Sequence, residues 1–357
     1  MQKERINKLR QLMNKMSVDC FLVTERANIF YLSGFTGDDG VLLITENSCY
    51  IITDKRFELQ LSSEALGWKN VLTRDYIKMA AKLAAKEKMV AMAFESSLTY
   101  AQYDILDEEA ICDIVPLSGV IEKIRSIKDE TEIAKIRYSC EVAKRGYEFV
   151  VKLLNDATSN EITELDVANE LDYFMKKNGA SEKSFETILA TGEHTTWPHG
   201  TASDKKIITG DLITLDYGYY VQKYTSDVTR TFGYGEQSAE VKKIYATVYE
   251  ANLRTVAAVK AGISGQELDY IGRQYITDQG YGNYFNHGMG HGIGLSIHEL
   301  PNIGKSYNEN LEVGQIITIE PGVYVPGVGG VRIEDDILVT ENGYEVLTDF
   351  GRNYLEV

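Results

Sequence analysis

Apolar residues at the start of the chain recur every three or four positions. Ile6, Leu9, Leu12, Met13 and Met16 fall on one side of a helix over residues 2–16. The period then shortens, and runs rich in β-branched and aromatic residues at 20–24, 41–45 and 50–53 predict strands. Between the first two lies Ile29-Phe-Tyr-Leu-Ser-Gly-Phe-Thr36, with a turn marked by its glycine. The Ala- and Lys-rich stretch 77–88 predicts a helix, 89–94 a buried strand and 99–110 another helix. Strands alternating with helices predict an α/β domain. The charged stretch 121–138, with Ile at 121, 124, 127, 133 and 136, runs into a long helix reaching towards Leu154. It sets a boundary between residues 1–125 and 126–357. No low-complexity linker separates the two parts, which predicts a packed interface rather than a tether. A helix is expected over 161–178, with a cap signal at Thr158-Ser-Asn-Glu161. The remainder reads as glycine-punctuated strands, interrupted by helices at 240–261 and 266–280.

Two of these strand regions end on acids. Leu212-Ile-Thr-Leu-Asp216 and Thr225-Ser-Asp-Val-Thr-Arg-Thr-Phe232 flank a polar turn at 221–223, and the midpoint of Asp216 and Asp227 falls between Val221 and Gln222. A hairpin centred there sets the two carboxylates opposite each other, with Cβ atoms about 4.5–5.5 Å apart. Gly314 to Glu320 and Gly330 to Glu334 flank a second turn, and Glu320 and Glu334 are centred on Gly327. Arg332 shares a strand face with Glu334. Asp216 and Glu320 each end an apolar run, where a carboxylate must shift its pKa or find a cation. Two divalent ions match four buried anions, and oxygen-rich sites of this kind suit Mn2+, Co2+ or Zn2+.

All five histidines of the 357-residue chain lie between positions 194 and 298: His194, His199, His287, His291 and His298. Three of them sit in Phe285-Asn-His-Gly-Met-Gly-His-Gly-Ile-Gly-Leu-Ser-Ile-His-Glu299. Histidine is the commonest metal ligand and titrates near neutrality, so the clustering points to a site. His287 and His291 are four apart, as on a metal-binding helix, but the alternating glycines disfavour helix by about 1 kcal/mol each. An extended segment is expected, with His287, Met289 and His291 on one face and room for a close approach of backbone or ligand.

Composition narrows the class. With 37 Lys and Arg against 53 Asp and Glu, the formal charge is −16, which argues against nucleic acid or an anionic membrane as partner. No signal-peptide core and no run of about 18 apolar residues is found, which predicts a soluble, cytoplasmic protein. Cys20, Cys49, Cys112 and Cys140 form no CxxC pair and read as reduced thiols.

With these residues assembled, the chain resembles the pita-bread metallopeptidases: methionine aminopeptidase, aminopeptidase P and prolidase. The resemblance is carried by LDYGYYVQKYTSDVTRTF (215–232), FNHGMGHGIGLSIHELP (285–301), IEPGVY (319–324) and GGVRIEDD (329–336). IFYLSGF (29–35) and IRSIKDETEI (124–133) resemble the creatinase-type N-terminal domain of aminopeptidase P and prolidase, which methionine aminopeptidases generally lack. The fold implied is a creatinase-like α/β domain followed by an α+β pita-bread domain with a curved, mostly antiparallel sheet.

The resemblance implies that Asp216, Asp227, His291, Glu320 and Glu334 hold two metals, Mn2+ first, with Co2+ or Zn2+ as alternatives. It also implies that Glu320 takes a proton from a metal-bridging water. By the same resemblance, His199 and His298 would contact substrate and stabilise the tetrahedral intermediate, His287 would line the pocket beyond the scissile bond, and Arg332 would support the metal carboxylates. The substrate implied is a peptide with proline at its second position, whose Xaa-Pro bond lacks an N–H and has a fixed φ. An Xaa-Pro aminopeptidase is the first expectation and an Xaa-Pro dipeptidase the second. The order rests on Asn302, which follows Pro301 where many microbial prolidases have an arginine suited to a substrate carboxylate. A non-catalytic pita-bread binding module is the distant third. A homodimer or higher homo-oligomer is also implied. Glu193, His194 and Trp197 depart from the family's pattern, and His194 is read as non-catalytic.

Overall fold

A computed structural model describes residues 2–156 and 162–357. The chain divides into two compact units, Met1–Arg125 and Ser126–Val357. In chain order the first contains α1 (Gln2–Lys15), β1 (Cys20–Val23), α2 (Arg26–Ser33), β2 (Val41–Thr45), β3 (Cys49–Thr53), α3 (Glu58–Glu64), β4 (Lys69–Leu72), α4 (Tyr76–Lys86), β5 (Ala91–Glu95), α5 (Tyr100–Glu109) and β6 (Asp113–Leu117), followed by α6 (Val120–Ser126). Its six strands form one mixed sheet in the order β4-β3-β2-β1-β5-β6. The apolar runs read from sequence become its fully buried centre, packed against Ile77, Ala80, Ala81 and Ala84 of α4. The segment at 29–36 is not extended as its neighbours are. Its first five residues lie in α2, and its glycine, Gly34, closes that helix in the left-handed region at φ 78°. The edge strands β4 and β6 are absent from the sequence reading because they are short and partly exposed, and so carry no strong apolar run.

The second unit contains α7 (Glu130–Asp156), α8 (Glu164–Lys177), β7 (Ala180–Lys183), β8 (Ile188–Thr191), β9 (Leu212–Tyr217), β10 (Tyr219–Val221), β11 (Tyr224–Thr225), β12 (Val228–Gly233), α9 (Ala239–Ala258), α10 (Gly265–Asp278), β13 (Gly290–Gly292), β14 (Glu299–Ile303), β15 (Ile316–Ile319), β16 (Gly322–Val325), β17 (Gly329–Arg332), β18 (Asp335–Thr340) and β19 (Gly343–Val346). The cap expected at 158–161 lies outside the described residues. Helix α8 starts behind Thr163, whose side chain accepts from the Asp166 amide in a capping box. The paired strands of this unit run antiparallel in four small sheets: β11-β10-β7, β12-β9-β8, β14-β13-β15-β18-β19 and β16-β17. Among the described residues, no helix is long and apolar enough to cross a membrane.

The two acid-bearing hairpins differ in how well spacing predicts them. In the first, Val221 pairs with Tyr224 and Asp216 with Thr229, so the centre lies between Gln222 and Lys223, one residue beyond the expected point. Asp216 therefore faces Thr229, and Asp227 sits diagonally across from it, just ahead of β12. Val221 is fully buried and stays in the sheet, leaving Gln222 and Lys223, both at positive φ, to form the two-residue turn that matches strand twist. In the second hairpin, Ile316 pairs with Leu338 and Ile319 with Asp335, then Gly322 with Arg332 and Val325 with Gly329. Both ladders are centred on Gly327, the predicted midpoint, which has φ 76°.

Candidate metal centre

The histidine-rich segment is extended only briefly, at β13. There the glycines are required by space. A Cβ on Gly290 would lie 2.0 Å from the Thr318 carbonyl oxygen, and one on Gly292 would lie 2.3 Å from that of Leu300. This close approach carries His291 between β15 and β14. The expectation that Met289 shares a face with His287 and His291 fails: both histidines line a cavity of about 450 Å³, whereas Met289 is fully buried in the core. The irregular backbone at 286–289 breaks the two-residue alternation, and the Met289 side chain packs beside Gly272 of α10.

That cavity is also lined by Asp216, Asp227, Glu320 and Glu334, by His199 and His298, and by Arg332. Every site residue expected from sequence thus faces one space. Ligand atoms of Asp227, His291 and Glu334 lie within 4.8 Å of one another. His291 Nε2 is 3.7 Å from Asp227 Oδ2 and 3.6 Å from Glu320 Oε1. These separations are too long for hydrogen bonds. They suit a shared cation, since two atoms each about 2.1 Å from one ion lie roughly 3–4 Å apart. Asp216 accepts from Arg332 Nη2 at 2.6 Å, and its other oxygen, Oδ1, is buried without a partner.

The electrostatics agree with that reading. Burial, then the charges of Glu334, Asp216, Asp336 and Glu320, push the Asp227 carboxyl far above the ordinary range. Glu334 is raised likewise by burial, then Glu320 and Asp216. Glu320 is raised to about 7, chiefly by burial. Such a cluster opposes its own ionisation, and Arg332 is the one Lys or Arg among the lining residues. Divalent cations supply the missing charge, so the residues present fit a metal site.

The imidazoles are set in the form a metal or substrate needs. His291 Nδ1 donates to the Gly292 carbonyl at 3.0 Å, which leaves the Nε2 lone pair facing Asp227 and Glu320. His287 Nδ1 donates to the Gly288 carbonyl at 2.8 Å, and its Nε2 accepts from the Tyr324 hydroxyl at 2.9 Å. Burial lowers His291 to about 4 and His287 to about 3. His298 is lowered by burial and by the charge of His199, and its ring stands edge-on to His291 at 4.4 Å.

Four supporting residues escaped the sequence reading. Tyr324 accepts from Arg332 Nη1 at 2.6 Å, linking the guanidinium to His287. Thr229 accepts from Arg332 Nε at 3.1 Å and donates to Glu334 Oε2 at 2.6 Å. Thr318 accepts from the His291 amide at 3.1 Å. Asp336 accepts from the Asp227 amide at 3.0 Å and is raised to about 8, first by burial. Thr229 and Tyr324 could have been found from register, since each belongs to a hairpin that carries the acids. Asp336 had no such signal, because its contact with Asp227 joins β18 to the residue just ahead of β12, far apart in the chain. His194 lies outside the metal-site cavity, with Nδ1 2.9 Å from the buried Glu164 carboxylate.

Comparison with known proteins gives a consistent result. The sequence model of metallopeptidase family M24 matches residues 134–341, and that of the creatinase/prolidase N-terminal domain matches residues 5–127. The chain is 38% identical to the Xaa-Pro dipeptidase of Pyrococcus horikoshii, over 99% of each chain. The structure of an Xaa-Pro dipeptidase from Bacillus anthracis superposes with a TM-score of 0.96 at 40% identity, covering 100% of both chains. That of an X-Pro aminopeptidase from Thermotoga maritima gives 0.88 at 34%, covering 96% of this chain and 98% of the other.

Proposed function

Because the chain belongs to metallopeptidase family M24, we propose that it hydrolyses the Xaa-Pro bond, with Xaa-Pro dipeptides as its first substrates. This reverses the order expected from Asn302 alone. The observation that carries it is similarity along the whole chain to proteins described as Xaa-Pro dipeptidases, at 38% and 40% identity. Asp216, Asp227, His291, Glu320 and Glu334 would hold two divalent ions, with Mn2+ the first candidate. Such ions, when bound, supply Lewis acidity towards the scissile carbonyl and the attacking water.

The chain's own residues divide the remaining work. Glu320, beside His291, takes the water's proton; a carboxyl raised by burial suits general-base chemistry near neutrality. His298 and His199 line the same cavity and donate to the oxygen on which charge develops. His287, held through Tyr324 to Arg332, forms a wall for the proline ring.

A second reading, Xaa-Pro aminopeptidase, draws on a specific observation. Asn302 lines the cavity, and Arg332, the guanidinium that shares it, is already bonded to Asp216 and Tyr324. A free dipeptide carboxylate thus meets no uncommitted Lys or Arg among the lining residues. The test is a panel of Xaa-Pro, Xaa-Pro-Yaa and Xaa-Ala peptides, assayed after chelation and reloading with Mn2+, Co2+ or Zn2+. Metal-dependent cleavage with Xaa-Pro preferred is expected. Faster cleavage of Xaa-Pro-Yaa would restore the aminopeptidase, and no cleavage of any Xaa-Pro bond would overturn both readings.

A further inference from the structure

Past His199 the surface opens into a second groove of about 840 Å³, walled by Glu193, His194, Trp197, His199, Gly200 and Lys205. His199 also lines the metal-site cavity, so the two spaces share a wall. His287 lines that same cavity, so across His199 the groove adjoins the space in which the leaving proline is placed above.

Trp197 dominates this groove, with 65% of its surface exposed. One exposed apolar side chain is ordinary, but this one is held in place from beneath. Its indole meets the His194 ring edge-on at 5.1 Å. His194 Nδ1 in turn contacts the Glu164 carboxylate at 2.9 and 3.1 Å. Glu164 is fully buried and also accepts from the amides of Thr191 at 2.8 Å and Ser203 at 3.1 Å. A Cβ on Gly200 would lie 2.8 Å from His194 Nε2 and 3.2 Å from Trp197 Cβ, so the loop folds tightly on its own rings. A rigid aromatic face on an open groove is a preorganised surface for another ring.

We propose that this groove binds the residue after proline in an Xaa-Pro-Yaa peptide, and that Trp197 selects aromatic side chains at Yaa. The inference rests on the Xaa-Pro cleavage proposed above but not on restriction to dipeptides. The source of selectivity is contact between the Yaa ring and the exposed indole, a contact an alanine at Yaa cannot make. Offset or edge-on aromatic contact amounts to a roughly fivefold preference over alanine, expressed mainly in KM.

The test compares kcat/KM for Ala-Pro-Phe and Ala-Pro-Ala, each normalised to Ala-Pro hydrolysis by the same variant. Wild type should favour the phenylalanine peptide about fivefold, Trp197→Ala should abolish that ratio, and Trp197→Phe should keep most of it. An unchanged ratio in Trp197→Ala, or no preference in wild type, would overturn the proposal. A binding readout separates it from the hydrolytic reading. The chain has two tryptophans, so Trp68→Phe leaves Trp197 as the sole indole reporter. With metal removed by chelation, Ala-Pro-Phe should change its fluorescence saturably and more tightly than Ala-Pro-Ala. If no Xaa-Pro bond is cleaved, the proposed function fails while this titration still decides the groove; equal or absent responses to the two peptides would overturn it.

Discussion

His291 and His298 stand edge-on at 4.4 Å, yet the proposed roles separate them. His291 presents a lone pair to Asp227 and Glu320, whereas His298 is only partly enclosed and faces the cavity. His291→Ala should therefore lower the metal-to-protein ratio measured by elemental analysis, while His298→Ala should keep both metals and reduce kcat by about 10²-fold. Metal loss in both variants would refute the division. Thr229 serves the acids indirectly, orienting Glu334 and receiving Arg332. Thr229→Val keeps the shape but removes both hydrogen bonds, and should weaken metal binding by about tenfold in a competition titration. Identities of this kind are legible only in part. The four acids and the clustered imidazoles announce themselves by their chemistry, but a buried threonine looks like any strand residue until its partners are known.

At the scale of elements, strand register decides which of these side chains meet. The second hairpin was readable because Gly327 marks its turn and both ladders keep one centre. The first was misread by one residue because nothing local shows that Val221 prefers burial to a place in the turn. Gly290 shows a different limit: its spacing signals a close approach but does not name the neighbour, which is the Thr318 carbonyl. Gly290→Ala puts a methyl within the radius of that oxygen and must push β13 away from β15. Metal occupancy should fall sharply, and the unfolding free energy of the metal-free protein should drop by about 1–3 kcal/mol, as read from urea unfolding. A variant with wild-type occupancy would show that β13 can move without disturbing His291.

For the whole molecule, the acid cluster couples folding to pH and to metal. An ordinary glutamate ionises near 4.5, but Glu320 in the metal-free fold is raised to about 7. Between those values the folded chain holds a proton that the unfolded chain has released, so this group makes the metal-free protein less stable as pH rises through the window. Divalent ions held by the ionised carboxylates, as proposed, would remove that penalty. The gap in Tm between metal-loaded and chelated protein should therefore widen by more than about 4 °C from pH 5.5 to pH 8. A gap that narrows would contradict the arrangement. By itself the sequence determined the family and singled out the candidate residues of the centre, because glycine spacing, acid-ended apolar runs and clustered histidines are local signals. Only the tertiary structure decided which oxygen faces which nitrogen, that Met289 leaves the histidine face, and that Trp197 stands over a groove next to His199. Those outcomes depend on register and packing between segments far apart in the chain, where no single stretch carries the information.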